Sequence, residues 1–138
     1  MSDLARVSIS LEGALLRRFD RLVSEEGYPT RSEAIKSLIR RALVGRDWGR
    51  GREVAGAVSL VYDHHRRRLV NRLLDVQHEF GGEVIAAQHV HLDHHNCMEV
   101  ITVRGRPARI RELVAALKSV KGIKHCELLA TATGDEES

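Results

Sequence analysis

Hydrophobic and polar residues alternate near the start of the chain and then change to a helical spacing. Residues Arg6 to Leu11 alternate in polarity, which is typical of a half-buried strand. Two segments of helical spacing follow, and the turn sequence GYPT separates them because glycine and proline end a helix. Thr30 or Ser32 is placed to cap the second helix. The first third of the chain therefore predicts a strand followed by two helices.

The predicted strand needs a partner. One strand and two helices within residues 1–45 bury too little apolar surface to be stable alone, and a lone strand leaves its backbone groups unpaired. We therefore expect an obligate dimer in which two copies of the strand form an antiparallel ribbon. Such a ribbon fits the major groove of B-DNA. Its polar face carries hydrogen-bonding side chains suited to base edges, namely Arg6, Ser8 and Ser10.

The rest of the chain has a different pattern. Residues 44–52 carry three glycines and alternating charges, which predicts a linker at 46–53. Six segments follow in the order strand, helix, strand, strand, helix, strand, at about 54–63, 66–80, 84–92, 97–104, 107–119 and 122–131. This order is typical of a ferredoxin-like domain of the ACT type. We predict an α+β fold with a DNA-binding domain at 1–45, a ferredoxin-like domain at 54–133 and an acidic tail at 134–138.

The helices of the second domain have predicted core positions at helical spacing. The first helix is expected to bury Leu69, Leu73, Leu74 and either Val76 or Phe80, and the second Ile110, Leu113, Val114 and Leu117.

Composition and charge narrow the class of protein. Of the 138 residues, 43% are hydrophobic and two are cysteines. No apolar run approaches the roughly 20 residues of a membrane-spanning helix, and the N-terminus lacks a secretory signal. We expect a cytoplasmic protein without disulfides or a membrane segment. Residues 1–52 contain eleven Arg or Lys against seven Asp or Glu, which favours a polyanionic partner for this part.

A group of histidines and a cysteine predicts a metal site. His89 and His91 are two positions apart, so they share one face of a strand. A hairpin with the loop 92–96 places His91 opposite Cys97 and His89 opposite Glu99 on that face. The opposite face is then apolar and is expected to join the core, with Val90, Met98 and Val100. Two imidazoles and a thiolate at one point favour metal binding over packing.

The fourth ligand and the metal stay open at this point. His78, which follows Gln77 near the end of a helix, is the candidate ligand, from the same or another chain. A square plane of three histidines and a cysteine favours Ni(II) or Cu(II), and a tetrahedron favours zinc. We interpret the other histidines and the second cysteine as exposed, auxiliary or structural: His64, His65, His94, His95, His125 and Cys126.

Two family resemblances combine these patterns. The order strand-helix-helix, with GYPTRSEAI between the helices, resembles the ribbon-helix-helix repressors of bacteria and archaea over about residues 4–45. That family reads bases with the outward strand residues. With the motifs Gln77-His78, His89-Val90-His91 and Asn96-Cys97-Met98-Glu99, the chain resembles the nickel-responsive transcriptional regulators over about residues 4–133.

The second resemblance implies an assembly and a set of residue roles. It implies a homotetramer with two flanking DNA-binding dimers and an operator with two half-sites. It implies one square-planar Ni(II) per subunit, held by His89, His91 and Cys97 of one subunit and His78 of a neighbour. Tyr62 and Glu99 match positions that contact the ligands, and Arg66 and Arg67 match basic positions that meet DNA phosphate. Some members hold a second cation with two acidic residues of the second helix; Glu33 matches the first, and Ser37 stands at the second.

The leading hypothesis is a nickel-dependent repressor of nickel-uptake genes. An alternative keeps the architecture but senses zinc, cobalt, copper or a small molecule. A metalloenzyme is disfavoured because no general base or glycine-rich loop accompanies the histidines, and because a DNA-binding half has no use in such an enzyme.

Overall fold

Two helices form most of the N-terminal part of the chain. The computed structural model describes residues 3–134, and the chain divides into two units, residues 1–42 and 43–138. Helix α1 spans Gly13–Glu25 and ends before Gly27, whose φ of 77° favours glycine. Helix α2 spans Arg31–Arg50. Thr30 Oγ1 accepts a hydrogen bond from the backbone N–H of Glu33 at 3.1 Å, so Thr30 is the cap of α2.

The N-terminal unit has almost no core of its own. Among residues 3–42, Ala34 is the only buried residue. The segment before α1 is not paired as a strand within this single chain, and Val7 and Ile9 are 81% and 63% exposed there. An alternating segment can pair only with another strand, and a folded monomer does not leave this much apolar side chain in water. The strand prediction thus stays tied to a second chain.

The predicted linker is partly helical. Helix α2 continues to Arg50, so the prediction of an irregular connection from residue 46 is wrong for its first five residues. Trp48 is 6% exposed and packs in the core of the second unit, and its Nε1 donates to the carbonyl oxygen of Thr131 at 2.9 Å. This buried contact outweighs the poor helix propensity of the neighbouring glycines. The connection that remains is residues 51–53.

The second unit is a four-stranded antiparallel sheet with two helices. Its elements are β1 Val54–Asp63, α3 Arg67–Glu79, β2 Val84–His91, β3 Asn96–Gly105, α4 Pro107–Lys118 and β4 His125–Thr131. The strand order is β2-β3-β1-β4, with β1 between β3 and β4. The predicted strand-helix-strand-strand-helix-strand order is therefore confirmed. Of the predicted acidic tail at 134–138, residues 135–138 lie outside the described part of the chain.

One face of the sheet and the two helices form the core. Alternate residues of β1 are buried, and they cluster with the inward residues of α3 and α4. The predicted core of α4 is confirmed, and in α3 Leu69, Leu73, Val76 and Phe80 are buried. Leu74 is a wrong prediction, because it is 55% exposed. It follows Leu73, which fills the inward position of this turn, and a further rotation of about 100° points Leu74 toward solvent.

The face of the sheet that carries the histidines is the one that joins the core. Cys97 and Glu99 are buried, whereas Val90, Met98 and Val100 are exposed or half-buried. The prediction that these three residues face the core is therefore wrong for this chain. Among the described residues of this unit no helix covers their face of the sheet, which carries both apolar and polar side chains. No helix in residues 3–134 is long and apolar enough to cross a membrane.

Candidate metal centre

The strand pairing places the predicted ligands in two rows across the sheet. His91 pairs with Cys97, and Cys97 pairs in turn with Tyr62 of β1. His89 pairs with Glu99 in the neighbouring row. The predicted register of the hairpin is therefore confirmed at both pairs. Because side chains two residues apart point to the same side, all five residues project to one face.

A buried carboxylate lies at the centre of this arrangement. Glu99 is 2% exposed, and it is the only charged residue that is buried in the part of the chain that the structure describes. Tyr62 Oη donates to Glu99 Oε1 at 2.8 Å, and Gln77 Nε2 donates to Oε2 at 2.9 Å. His89 Nε2 lies 3.5 Å from Oε2. Burial, and then the hydrogen bond to Glu99, raises the pKa of Tyr62, so the phenol keeps its proton and stays a donor.

The thiol and one imidazole lie at a separation that suits a shared metal ion. Cys97 Sγ is 3.9 Å from His89 Nδ1. Bonds of about 2.3 Å to sulfur and about 2.0 Å to nitrogen place two ligands of one ion about 3.5 Å apart at a tetrahedral angle, and about 4.3 Å apart only when they are collinear with it. The buried thiol and the half-exposed ring therefore lie within about half an ångström of a tetrahedral ligand pair. The thiolate and imidazole donors suit a late first-row metal.

The other two predicted ligands lie away from this pair. The ring of His91 stacks on His64, with ring centroids 4.5 Å apart and planes 3° from parallel. His78 is exposed in the last turn of α3. Another group of potential ligands is more compact. In the described residues, the ligand atoms of Asp63, His65 and His95 all lie within 4.8 Å of one another.

Sequence reasoning missed this second group, although a signal for it existed. The histidine pair 64–65 directly follows β1, and the pair 94–95 directly precedes β3. Those two strands are neighbours, and Asp63 pairs with Asn96. The two histidine pairs must therefore meet at one end of the sheet. From the sequence, these four histidines are interpreted as exposed, auxiliary or structural.

The predicted DNA-binding residues are exposed. Arg6, Ser8 and Ser10 lie in the unpaired segment before α1. Arg66 precedes α3 and Arg67 begins it. They line a shallow cleft together with further basic residues, namely Arg68, Arg72 and Lys121. The cleft thus concentrates positive charge at the start of α3.

Glu33 and Ser37, the positions matched to a second cation site, already have protein partners. Glu33 Oε1 forms an ion pair with Lys36 Nζ at 3.1 Å. Ser37 Oγ lies 3.0 Å from Tyr28 Oη, within hydrogen-bond distance. Neither contact favours a cation, because one supplies a competing positive charge and the other engages a neutral hydroxyl.

Comparison with known proteins gives a consistent result over the whole chain. A family model described as the NikR C-terminal nickel-binding domain matches residues 55–131, and one described as ribbon-helix-helix protein, CopG family, matches residues 5–44. A relative from Chlorobaculum tepidum is 52% identical over 128 residues, covering 93% of this chain and 96% of its own. One from Syntrophus aciditrophicus is 45% identical over 134 residues, covering 97% and 98%. Both are named as candidate nickel-responsive regulators.

A solved structure has a similar fold over part of the chain. An uncharacterized protein of Thermotoga maritima superposes with a TM-score of 0.52 at 10% identity, covering 56% of this chain and 96% of that one. The two family models and the four-stranded sheet confirm the predicted α+β class, with a ribbon-helix-helix domain before a nickel-binding domain.

Proposed function

Because the chain belongs to the family of nickel-responsive transcriptional regulators, we propose that it is a Ni(II)-dependent repressor of nickel-uptake genes. The family is one of DNA-binding regulators and not of enzymes. The observation that carries the proposal for this chain is the pair of a buried Cys97 thiol and His89 imidazole, 3.9 Å apart. We infer that the protein acts in the cytoplasm, because its target is chromosomal DNA.

We propose one Ni(II) per subunit, held by His89, His91 and Cys97 of one chain. His91 is the direct cross-strand neighbour of Cys97, so a change of its ring rotamer can bring a nitrogen toward the thiol. Glu99 and Tyr62 act on this site through His89, since the carboxylate lies beside the imidazole and the phenol keeps the carboxylate in place. When bound, nickel supplies a strong cross-link between the elements that carry its ligands.

We propose that His78 is the fourth ligand and that it serves the site of a neighbouring subunit. Gln77 reaches Glu99 of its own chain. The next residue of a helix points about 100° away, so His78 does not point in that direction. Its exposed position in the last turn of α3 suits a ligand offered to another chain. A ligand from another subunit makes nickel binding depend on the assembly.

The surfaces of both units support a homotetramer built as a dimer of dimers. In the N-terminal unit, the exposed apolar residues need a second copy of the segment before α1. In the second unit, the open face of the sheet is a separate surface on which the apolar side chains of Val90 and Leu129 are exposed. Two different self-complementary surfaces on one chain give a tetramer rather than a dimer.

We propose that each N-terminal dimer inserts its ribbon into a major groove. Arg6, Ser8 and Ser10 then face the bases, and the operator is a dyad with two separated half-sites. Arg66 and Arg67 contact phosphate, which fixes position without reading sequence. The protein is then in equilibrium between an arrangement of the ribbons that binds the operator and one that does not. Nickel shifts this equilibrium only as far as it binds the first arrangement more tightly than the second.

Operator affinity measured with and without nickel tests the proposal. At fixed salt, one Ni(II) per subunit is expected to tighten binding to a dyad operator at least tenfold. In the Cys97→Ser variant this gain and the thiolate-to-nickel absorption are expected to disappear, because serine is not deprotonated near neutral pH. Cys126→Ser is the matched control, since Cys126 is the other buried cysteine and lies outside the site. Equal operator affinities with and without nickel would show that nickel does not control DNA binding. An equal gain in operator affinity with zinc would show that the response is not specific for nickel.

A further inference from the structure

A second group of metal-ligating side chains lies where β1 ends and β3 begins. The ligand atoms of Asp63, His65 and His95 are all within 4.8 Å of one another. His65 Nδ1 lies 3.5 Å from Asp63 Oδ1. The side chains of Asp63 and His65 are 27% and 52% exposed, so the group opens to solvent. It shares no residue with the site at Cys97.

We propose that Asp63, His65 and His95 form a second site for a divalent transition-metal ion. Two imidazoles and one carboxylate are a donor set that binds late first-row metals with water in the remaining positions. Two nitrogen donors disfavour magnesium and calcium, which prefer oxygen ligands. Nickel, cobalt and zinc are therefore the expected occupants. The proposal does not rest on the nickel switch, because no residue of that switch takes part.

Hydrogen bonds hold the two segments together without a metal. The backbone N–H of His64 donates to the carbonyl oxygen of His95 at 3.0 Å, and that of His65 donates to Asp63 Oδ1 at 2.9 Å. In the loop before β3, Asp93 Oδ1 accepts from the backbone N–H groups of His95 and Asn96 at 2.9 and 2.8 Å. Binding therefore orders little new backbone, which lowers its entropic cost.

The surroundings set an upper limit on affinity. The site lacks a thiolate and is open to water, so it is expected to be weaker than the site at Cys97. Lys124 Nζ lies nearby and is hydrogen-bonded to Asn96 Oδ1 at 2.5 Å, and its positive charge opposes a bound cation. These features predict a labile site that exchanges metal with solvent.

The second site is connected to the first through a single histidine. The ring of His64 lies 4.2 Å from that of His65 and 4.5 Å from that of His91, measured between centroids. His94 extends the same cluster, 5.5 Å from His65. The rings of His65, His64 and His91 therefore form a continuous row of imidazoles between the two sites.

Metal titration of the full-length protein tests this site. We expect wild-type protein to bind two Ni(II) per subunit in two phases by isothermal titration calorimetry. His65→Ala and His95→Ala are each expected to weaken the second phase at least tenfold and to leave the thiolate-to-nickel absorption unchanged. His125→Ala is the matched control, because His125 is an exposed histidine of β4 outside the group. It should leave both phases intact.

A second measurement needs no variant. In proton NMR spectra of the wild type with its first nickel bound, additional paramagnetic Ni(II) should broaden the ring signals of His65 and His95 before that of His125. A total of one nickel per subunit, or a second phase unchanged in both alanine variants, would overturn the second site while leaving the nickel switch intact. Loss of the thiolate absorption in the wild type would instead count against the first site.

Discussion

Glu99 is a carboxylate that the fold keeps out of water. A buried charge is costly unless hydrogen bonds replace its lost hydration. Tyr62 and Gln77 supply one donor to each carboxylate oxygen, and among the described residues no buried side-chain nitrogen or oxygen lacks a partner. The phenol of Tyr62 therefore stabilises the buried carboxylate, and it also fixes the position of that carboxylate beside His89.

Removing the phenol tests this dependence. Tyr62→Phe is expected to lower the free energy of unfolding of the metal-free protein by about 1.5–3 kcal/mol, because a hydrogen bond to a charged group is lost. Tyr28→Phe is the control: its hydroxyl contacts the neutral Ser37 and should cost only about 0.5–1.5 kcal/mol. Urea denaturation at constant protein concentration gives both values. Equal losses of unfolding free energy in the two variants would mean that the hydrogen bond from Tyr62 does not stabilise the buried Glu99 carboxylate.

For single residues, the sequence predicted which residues pair across the strands better than which side chains touch. The pairs His89–Glu99 and His91–Cys97 follow from the hairpin because a period of two fixes the face of every residue. The stacking of His91 on His64 does not follow from the sequence, since it depends on a rotamer choice between segments far apart in the chain. The roles of the metal ligands stay predictions.

An ion pair joins the two helices of the N-terminal unit. Arg31 Nε and Nη2 donate to the two carboxylate oxygens of Asp20 at 2.8 and 2.9 Å. This two-point geometry links α1 to the first residue of α2. The hydrogen bond from Arg31 lowers the pKa of Asp20 below its usual 3.8. The pair contributes to stability above the usual pKa of aspartate, and the contribution is lost as the pH falls through the lowered value.

The pair can be observed by titration. In carbon-detected NMR, the carboxyl signal of Asp20 should titrate below pH 3.8, and Arg31→Ala should move the midpoint up toward that value. Lys36→Ala is the control, because Lys36 pairs with Glu33 and not with Asp20. A midpoint that does not respond to Arg31→Ala would show that the pair is absent in solution.

Element boundaries were predictable wherever a clear period reached a turn signal. The structured ends of β1 and α4 lie within one residue of the predicted ones, because Asp63 and Pro107 stand at the changes of pattern. The end of α2 was not predictable from its own residues, because Gly45 and Gly49 indicate a break. The burial of Trp48 decides that end, and this contact involves residues more than 80 positions later.

At the scale of the whole molecule, the apolar surface left open by one chain is as informative as the core. The N-terminal unit exposes Val7, Ile9 and Leu11 on the face opposite the polar strand residues. The sequence predicts a dimer here for two reasons: an unpaired strand is not stable in water, and one strand with two helices buries too little apolar surface. It could not predict where the open face of the second unit lies, because that depends on which side of the sheet the helices cover.

A charge on the apolar face of the strand should separate DNA binding from nickel binding. Ile9→Asp buries a carboxylate in the proposed ribbon dimer, so it should break that dimer and weaken operator binding at least a hundredfold. The second unit has its own core, so thiolate-to-nickel absorption should persist. Sedimentation should show species smaller than the wild-type assembly, which we propose to be a tetramer. Arg6→Ala is the control: it should keep the wild-type mass and cost about 1–3 kcal/mol of operator binding. A wild-type mass for Ile9→Asp would mean that the N-terminal segment does not pair with its twin.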